Sequence, residues 1–298
     1  MSGDWATDFG AWLRASGRSQ RTVRAYLLDV QVFARWFEGR EGERFEPQAV
    51  TGVDLQDFRR WSLDEGRVSA ATWNRRRAAM RVFCAWALEA GLLAYDPSVG
   101  LAKAQAVASA PKWLTMAEAR RVLRALERRV QVAKAMGMGR EYRRAVRDRA
   151  ALLLMMKAGL RVGEVTRLRW DDMELRPRSG EAMVRGKGRK RRRVPLTADV
   201  RAALAQWREV SDKGEGEVFG VSTHQLGVVV REVGREAGLE RRLTPHMLRH
   251  TFAKALVDAG RPLTEVQQLL GHSRLDVTAV YVRPSWEDLG AAVAEVWG

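Results

Sequence analysis

The sequence predicts a mainly α fold in two domains: a helical N-terminal domain, and an α+β domain carrying one small antiparallel sheet. Three observations predict it. Apolar residues recur at helical spacing through the first hundred residues. A stretch of small residues and prolines, "YDPSVGLAKAQAVASAPKWLT", breaks that pattern and reads as a linker. Further on, a short, partly alternating segment broken by Pro177, Gly180, Gly186 and Gly188 interrupts a second run of helices. The division expected is 1–102, a linker at 103–112, and 113–298; a chain of 298 residues is long enough for two cores.

"SQRTVRAYLLDVQVFARWFEG" places apolar residues at 23, 26, 27, 30, 33, 34 and 37, with Ser19 to cap the start and Gly39 beyond the end. "TGVDLQDFRRWSLDEG" is a shorter helix, and "SAATWNRRRAAMRVFCAWALEAGLL" a long one closing at Gly91. Arg75, Arg76, Arg77 and Arg81 give that helix a basic face, either a phosphate-contacting surface or a plain solvated one. Cys84, the single cysteine, reads as a small core residue, and it excludes an intrachain disulfide and a cysteine zinc cage. Past the linker, "TMAEARRVLRALERRV" and "RRAVRDRAALLLMMKAG" are helices. "RLRWDDMEL" and "GEAMVRGKGRKRRRVPL" form the sheet, with a hairpin tip near Gly186–Lys190. Helices follow at 197–210, 222–237, 245–259, 263–270, 274–282 and 286–297.

The net charge is +16, from 52 basic residues of which only eight are lysine. An excess of that size points to a polyanionic partner, nucleic acid first. No run approaches the length of apolar sequence that spans a bilayer, so no membrane association is expected. The start, with Asp4 and Asp8, lacks the basic region and apolar core of a secretory signal, and with one cysteine it fits a cytoplasmic location.

"TPHMLRHTFAKAL" crowds two of the four histidines around one arginine. Thr244 caps a helix and Pro245 suits its first position. His246, Arg249 and His250 then fall on or near one face of its first turns, where free N–H groups and an arginine fork suit a phosphate. Three further features join it. In "KAGLRVGEVTRLRW", Gly159 ends a helix, Arg161 begins the next, and Glu164 is placed to hold a guanidinium or histidine. In "VRGKGRKRRRVPL", Lys187 and Lys190 lie on the hairpin beside Arg189 and Arg191. In "LLGHSRLDVTAVYV", His272 follows the helix-ending Gly271, and Tyr281 comes nine residues later. Together they make chemical sense at a phosphodiester. Two arginines neutralise a pentavalent phosphorus, a tyrosine hydroxyl attacks it, and a hairpin lysine protonates the leaving 5′ oxygen. Such a site needs no metal and no other cofactor. A metal-dependent nuclease built on Asp171, Asp172 and Glu174 is the competing chemistry, but no partner cluster accompanies those carboxylates.

The ordered set Arg161, Lys187, His246-x-x-Arg249, His272 and Tyr281 resembles the active-site signature of the tyrosine recombinases, the phage-integrase family, with size and layout similar to Xer-type and transposon-associated members. The resemblance implies a helical core-binding (SAM-like) domain and a catalytic domain closing as a C-shaped clamp on duplex DNA. It implies that Arg161 and Arg249 bind the scissile phosphate, His246 assists the nucleophile's proton, and His272 hydrogen-bonds the phosphate. Lys187 would be the general acid, with Lys190 beside it as the other choice. Tyr281 would form a 3′-phosphotyrosine, and Glu164 and His250 would orient their neighbours. Arg189, Lys190, Arg191 and Lys254 would join the basic helix face in touching DNA. The implied partners are double-stranded DNA with paired recombination sites and further copies of the chain, a tetramer on two sites, or a paralogous recombinase. A type IB topoisomerase-like enzyme and a non-catalytic accessory protein on the same fold are the alternatives. In the tail, Leu289, Val293, Val296 and Trp297 make an apolar stripe that either packs on its own domain or docks on a neighbouring protomer.

Overall fold

The computed structural model describes residues 4–64, 68–105, 113–185, 191–211 and 215–271. The chain divides into two compact units, Met1–Ser109 and Ala110–Gly298.

Among its described residues the first unit holds four α-helices. Helix α1 (Trp5–Ala15) starts where the Asp4 carboxylate accepts the Ala6 N–H. Helix α2 (Gln20–Glu41) is capped by Ser19, as its place before the periodic run requires. The helix does not stop before Gly39. It continues to Glu41 and ends at Gly42, which takes φ 74° and donates its N–H to the Glu38 carbonyl. Gly39 faces open space, so the helix carries it at the modest cost of an exposed interior glycine. Helix α3 (Gly52–Leu63) opens with a reciprocal Thr51–Asp54 cap, and α4 (Ala70–Glu89) with Ser69. Between them these helices bury Phe9, Phe33, Phe58, Trp73 and Phe83, with Cys84 wholly inside. Phe45, in the loop after α2, plugs this core edge-on to Trp5, Phe33 and Phe37, and its N–H donates to Glu38. Ala104, expected in the linker, exchanges two hydrogen bonds of 3.0 Å with the Asn74 amide, and Trp73 Nε1 donates to the Ala102 carbonyl.

In the second unit, α5 (Met116–Ala135) starts at a reciprocal Thr115–Glu118 cap. Helix α6 (Gly139–Lys157) is buried from Ala150 through Met156, because α5, α8 and α10 all pack on it. After α6 come the short helix α7 (Val162–Val165) and a 3-10 turn at Trp170–Asp172. Of the stretch expected as strand, β1 (Met173–Leu175) joins the sheet and Arg169 makes only an isolated antiparallel bridge to Glu217; the Asp172 carboxylate accepts the Arg169 N–H and bends the residues between into that turn. Strands β2 (Gly180–Arg185) and β3 (Arg191–Pro195) complete an antiparallel sheet in the order β1-β2-β3, with Val184 opposite Arg192. Ala182, Val184 and Val194 turn into the core. Helices α8 (Ala198–Ser211), α9 (Thr223–Glu236), α10 (Pro245–Asp258) and α11 (Leu263–Leu270) follow, close to the predicted spans. The hairpin tip at 186–190 and the helices expected at 274–282 and 286–297 lie outside the described residues.

Candidate active site

Glu164 is 5% exposed, and three arginines converge on it from three elements. Arg161, at the start of α7, donates its backbone N–H to Oε2 at 2.8 Å and its Nη1 to Oε1 at 2.9 Å. Arg192, on β3, donates Nη1 to Oε1 at 2.9 Å and Nη2 to Oε2 at 2.8 Å, a two-pronged grip. Arg249, on α10, brings Nη1 to 3.6 Å from Oε2. Burial alone would raise the Glu164 carboxyl. The hydrogen bonds from Arg192 and the Arg161 amide, and the charges of Arg192 and Arg249, outweigh it and bring the pKa down to about 2. The carboxylate is therefore ionised, and three guanidinium charges against one leave the site positive.

Thr244 caps α10 through its side chain on the Met247 N–H, and Pro245 sits in the first turn. This sets His246 at the surface and buries Arg249, which is 4% exposed. The His246 and His250 rings lie 6.3 Å apart, so the expected common face exists. Arg249 also donates to the carbonyls of Gly159 and Leu270. Gly159 can present its carbonyl there because its φ is +67°, and a Cβ on it would lie 2.4 Å from the Phe252 ring. At the other end, α11 stops at Gly271, φ 63°. Its last carbonyls lack helical partners. Arg249 takes Leu270 and Arg192 Nε takes Leu269, at 2.8 Å for the latter.

Of the residues predicted from sequence, the structure brings Arg161, Glu164 and Arg249 together, and His246 and His250 share α10 with Arg249. Lys187, Arg189, Lys190, His272 and Tyr281 lie outside the described residues. Of the residues expected to touch DNA, several have partners within the protein. Arg75 pairs with the buried Asp29; Arg76 lies 5.9 Å over the Phe58 ring; Arg77 donates to the Leu101 carbonyl. Lys254 pairs with Asp258 and lies 5.8 Å from the Trp113 ring centre. Arg81 and Arg191 are exposed. Among Asp171, Asp172 and Glu174, each faces an arginine: Arg169, Arg185 and Arg176. Among the described residues, no group of three His, Cys, Asp or Glu side chains is placed to hold a metal ion. No described helix is long and apolar enough to cross a membrane.

Sequence reasoning missed Arg192. Its signal was present in the alternation of β3: Arg191 and Arg193 face out, while Arg192 shares its side of the strand with buried Val194. An arginine on the inward row of a strand needs a buried partner, and that partner is Glu164.

Comparison with known proteins agrees with this geometry. Residues 112–287 match the phage integrase family, and residues 8–91 match the phage integrase N-terminal SAM-like domain. The chain belongs to the phage integrase family and is a site-specific recombinase of the tyrosine class. It is 31% identical over 290 residues to tyrosine recombinase XerC of Xylella fastidiosa (strain M23), covering 95% of this chain and 92% of that one. It is 32% identical over 300 residues to tyrosine recombinase XerC of Neisseria meningitidis serogroup C (strain 053442), covering 96% and 93%. Its fold is similar to XerH site-specific recombinase bound to a palindromic difH substrate in a post-cleavage complex, with TM-score 0.72, 22% identity and 95% and 82% of the two chains covered. It is also similar to a lambda integrase (75-356) dimer bound to a COC′ core site, with TM-score 0.69, 19% identity and 95% and 96% covered.

Proposed function

We propose that this recombinase cuts and rejoins duplex DNA through a 3′-phosphotyrosine on Tyr281. The observation that carries the reading is the meeting of Arg161 and Arg249, distant in sequence, on the one carboxylate of Glu164. A phosphodiester gains negative charge on its non-bridging oxygens as a nucleophile adds. Two fixed guanidinium groups stabilise that charge without reorganising, and Glu164 holds them in place. Arg161 remains 36% exposed with one prong on Glu164, open enough to meet a duplex backbone.

In this reading the Tyr281 oxygen attacks phosphorus, its proton passing toward His246, which is exposed on α10 three residues before Arg249. The bond from phosphorus to the 5′ oxygen breaks, and Lys187 or Lys190 supplies the proton that oxygen needs. His272 hydrogen-bonds the phosphate. The phosphate ester is kept in the protein–DNA link, so a 5′ hydroxyl can attack it in the reverse sense and reseal the strand without ATP. The +16 charge and the DNA-bound state of the structural relatives support a duplex DNA partner with paired sites. The dimer in the lambda integrase relative supports action by more than one copy; the reading takes this as a tetramer on two sites or a paralogue pair, acting in the cytoplasm.

A nicked suicide substrate tests the reading. The wild-type protein is expected to give a denaturant-resistant adduct, and Tyr281→Phe to bind DNA and give none. Lys187→Ala is expected to cut slowly at a normal 5′ oxygen and at near wild-type rate at a 5′-bridging sulfur, whose thiolate leaves without a proton. Rescue confined to Lys190→Ala assigns the acid to Lys190. An adduct that persists in Tyr281→Phe overturns the proposal.

A further inference from the structure

We infer that Arg192 is a positioning residue for strand cleavage: by gripping both oxygens of Glu164 and the last turn of α11, it sets how closely Arg161 and Arg249 pair with that carboxylate and ties β3 to them. This inference rests on the recombinase reading above.

Left to itself, a buried carboxylate beside two arginines pairs with them as closely as it can. Glu164 would then draw off the positive charge a phosphate needs. Arg192 prevents that. Its Nη1 and Nη2 occupy Oε1 and Oε2 at 2.9 and 2.8 Å, which leaves Arg249 Nη1 at 3.6 Å and Arg161 with a single side-chain contact. Glu164 and Arg192 thus compensate one another, and neither Arg161 nor Arg249 is drawn wholly onto the carboxylate. The Arg192 side chain is closely confined. It is 12% exposed, and a Cβ on Gly271 would lie 3.1 Å from its Cδ and Nη1.

Its position in the chain gives the second half of the role. Arg192 lies on β3, five residues after Lys187 and two after Lys190 in sequence, the two candidate acids. Its Nε holds the Leu269 carbonyl, three residues before His272. One guanidinium therefore joins β3, the carboxylate on which the phosphate arginines meet, and the end of α11, which His272 and Tyr281 follow in sequence. Misplacing such groups by about 1 Å costs on the order of 100-fold in rate.

The test compares wild type, Arg192→Lys, Arg192→Gln, Glu164→Gln and the Arg192→Gln/Glu164→Gln pair, all full length. DNA affinity is read by titration, folding by thermal unfolding, and chemistry by single-turnover adduct formation on the suicide substrate. Arg192→Lys and Arg192→Gln are expected to bind DNA within about twofold of wild type and to cleave about 10- to 100-fold more slowly. In the Glu164→Gln background, Arg192→Gln is expected to add little, since the arginine acts through that carboxylate. The pH profile separates positioning from mere support. Glu164 faces Arg161 at its own helix start, Arg192 from β3 and Arg249 from α10. Without Arg192, burial counts for more, the carboxyl protonates at higher pH, and cleavage by Arg192→Gln falls further on the acid side than cleavage by wild type. Cleavage by Arg192→Lys within twofold of wild type, losses that simply multiply in the double variant, or an acid limb unchanged from wild type would each overturn the inference. So would failure of both Arg192 variants to fold, which would assign Arg192 to the fold rather than the site. Absence of an adduct in wild type would instead overturn the underlying reaction.

Discussion

Glu164 sets a problem in charge balance. Its carboxylate accepts from Arg192 and Arg161 and faces Arg249, and replacing it with glutamine leaves buried guanidinium groups without a counter-charge. Breaking a buried pair from one side costs about 3–5 kcal/mol, so Glu164→Gln is expected to lower the denaturant midpoint at pH 7 by that equivalent; an unchanged midpoint would contradict the pairing. The acid dependence has a definite sign. The folded-state pKa is near 2, below the ordinary 4.5. Folding therefore favours the ionised form, and this stability is present above pH about 4.5 and is lost as pH falls toward 2. Glu164→Gln is expected to lack that share of acid lability, measured by repeating the titration at about pH 3, between the two values. Gly159 poses a backbone version of the same issue. Alanine there meets φ +67° and the Phe252 ring at 2.4 Å. The conformation alone costs about 1–2 kcal/mol, and the carbonyl that holds Arg249 shifts with it. Gly159→Ala is expected to lower both stability and adduct rate, whereas a substitution at exposed Gly39 is expected to do neither.

At the scale of elements, legibility followed how local the cause was. Caps at Ser19 and Thr244 and the glycine stop at Gly271 act within a few residues, and sequence reasoning found them. Gly39 misled because a glycine inside a helix and one ending it differ in φ, which the next residues decide; Gly42, three positions on, takes the left-handed turn. The strand expected through Trp170 is a turn because Asp172 reaches back to the Arg169 N–H. Glu164 was legible as a partner for some guanidinium, but Arg192 as its main partner was not, because that pairing crosses from α7 to β3. The same limit hid the attachment of Ala104, in the expected linker, to α4. Asn74→Ala is expected to speed hydrogen exchange at the Ala104 amide, read by mass spectrometry, while leaving amides in the middle of α4 protected. Equal exchange at Ala104 in both proteins would show that the Asn74 contact does not hold the segment.

At the scale of the whole molecule, the +16 charge is the property that meets the partner. Each phosphate neutralised contributes about −0.9 to the slope of log affinity against log salt, so contact by both units is expected to give about −6 or steeper, and a flat slope would show that the basic surface does not bind DNA. Yet charge reports binding, whereas the central claim is a covalent bond to one atom. The chain holds four tyrosines. Tyr142 accepts a hydrogen bond from Gln206 at 2.9 Å, Tyr95 is 61% exposed on the first unit, and Tyr26 packs on that unit's core. Tyr281 is the one that follows, in sequence, the helix end held by Arg192 and Arg249. The most direct measurement is to trap the adduct on a nicked substrate, digest protein and DNA, and find by mass spectrometry which peptide carries the nucleotide. A single 3′-linked nucleotide is expected, on the peptide containing Tyr281. A nucleotide on Tyr26, Tyr95, Tyr142 or any serine, or strand cleavage with no linked peptide at all, would contradict the proposed chemistry.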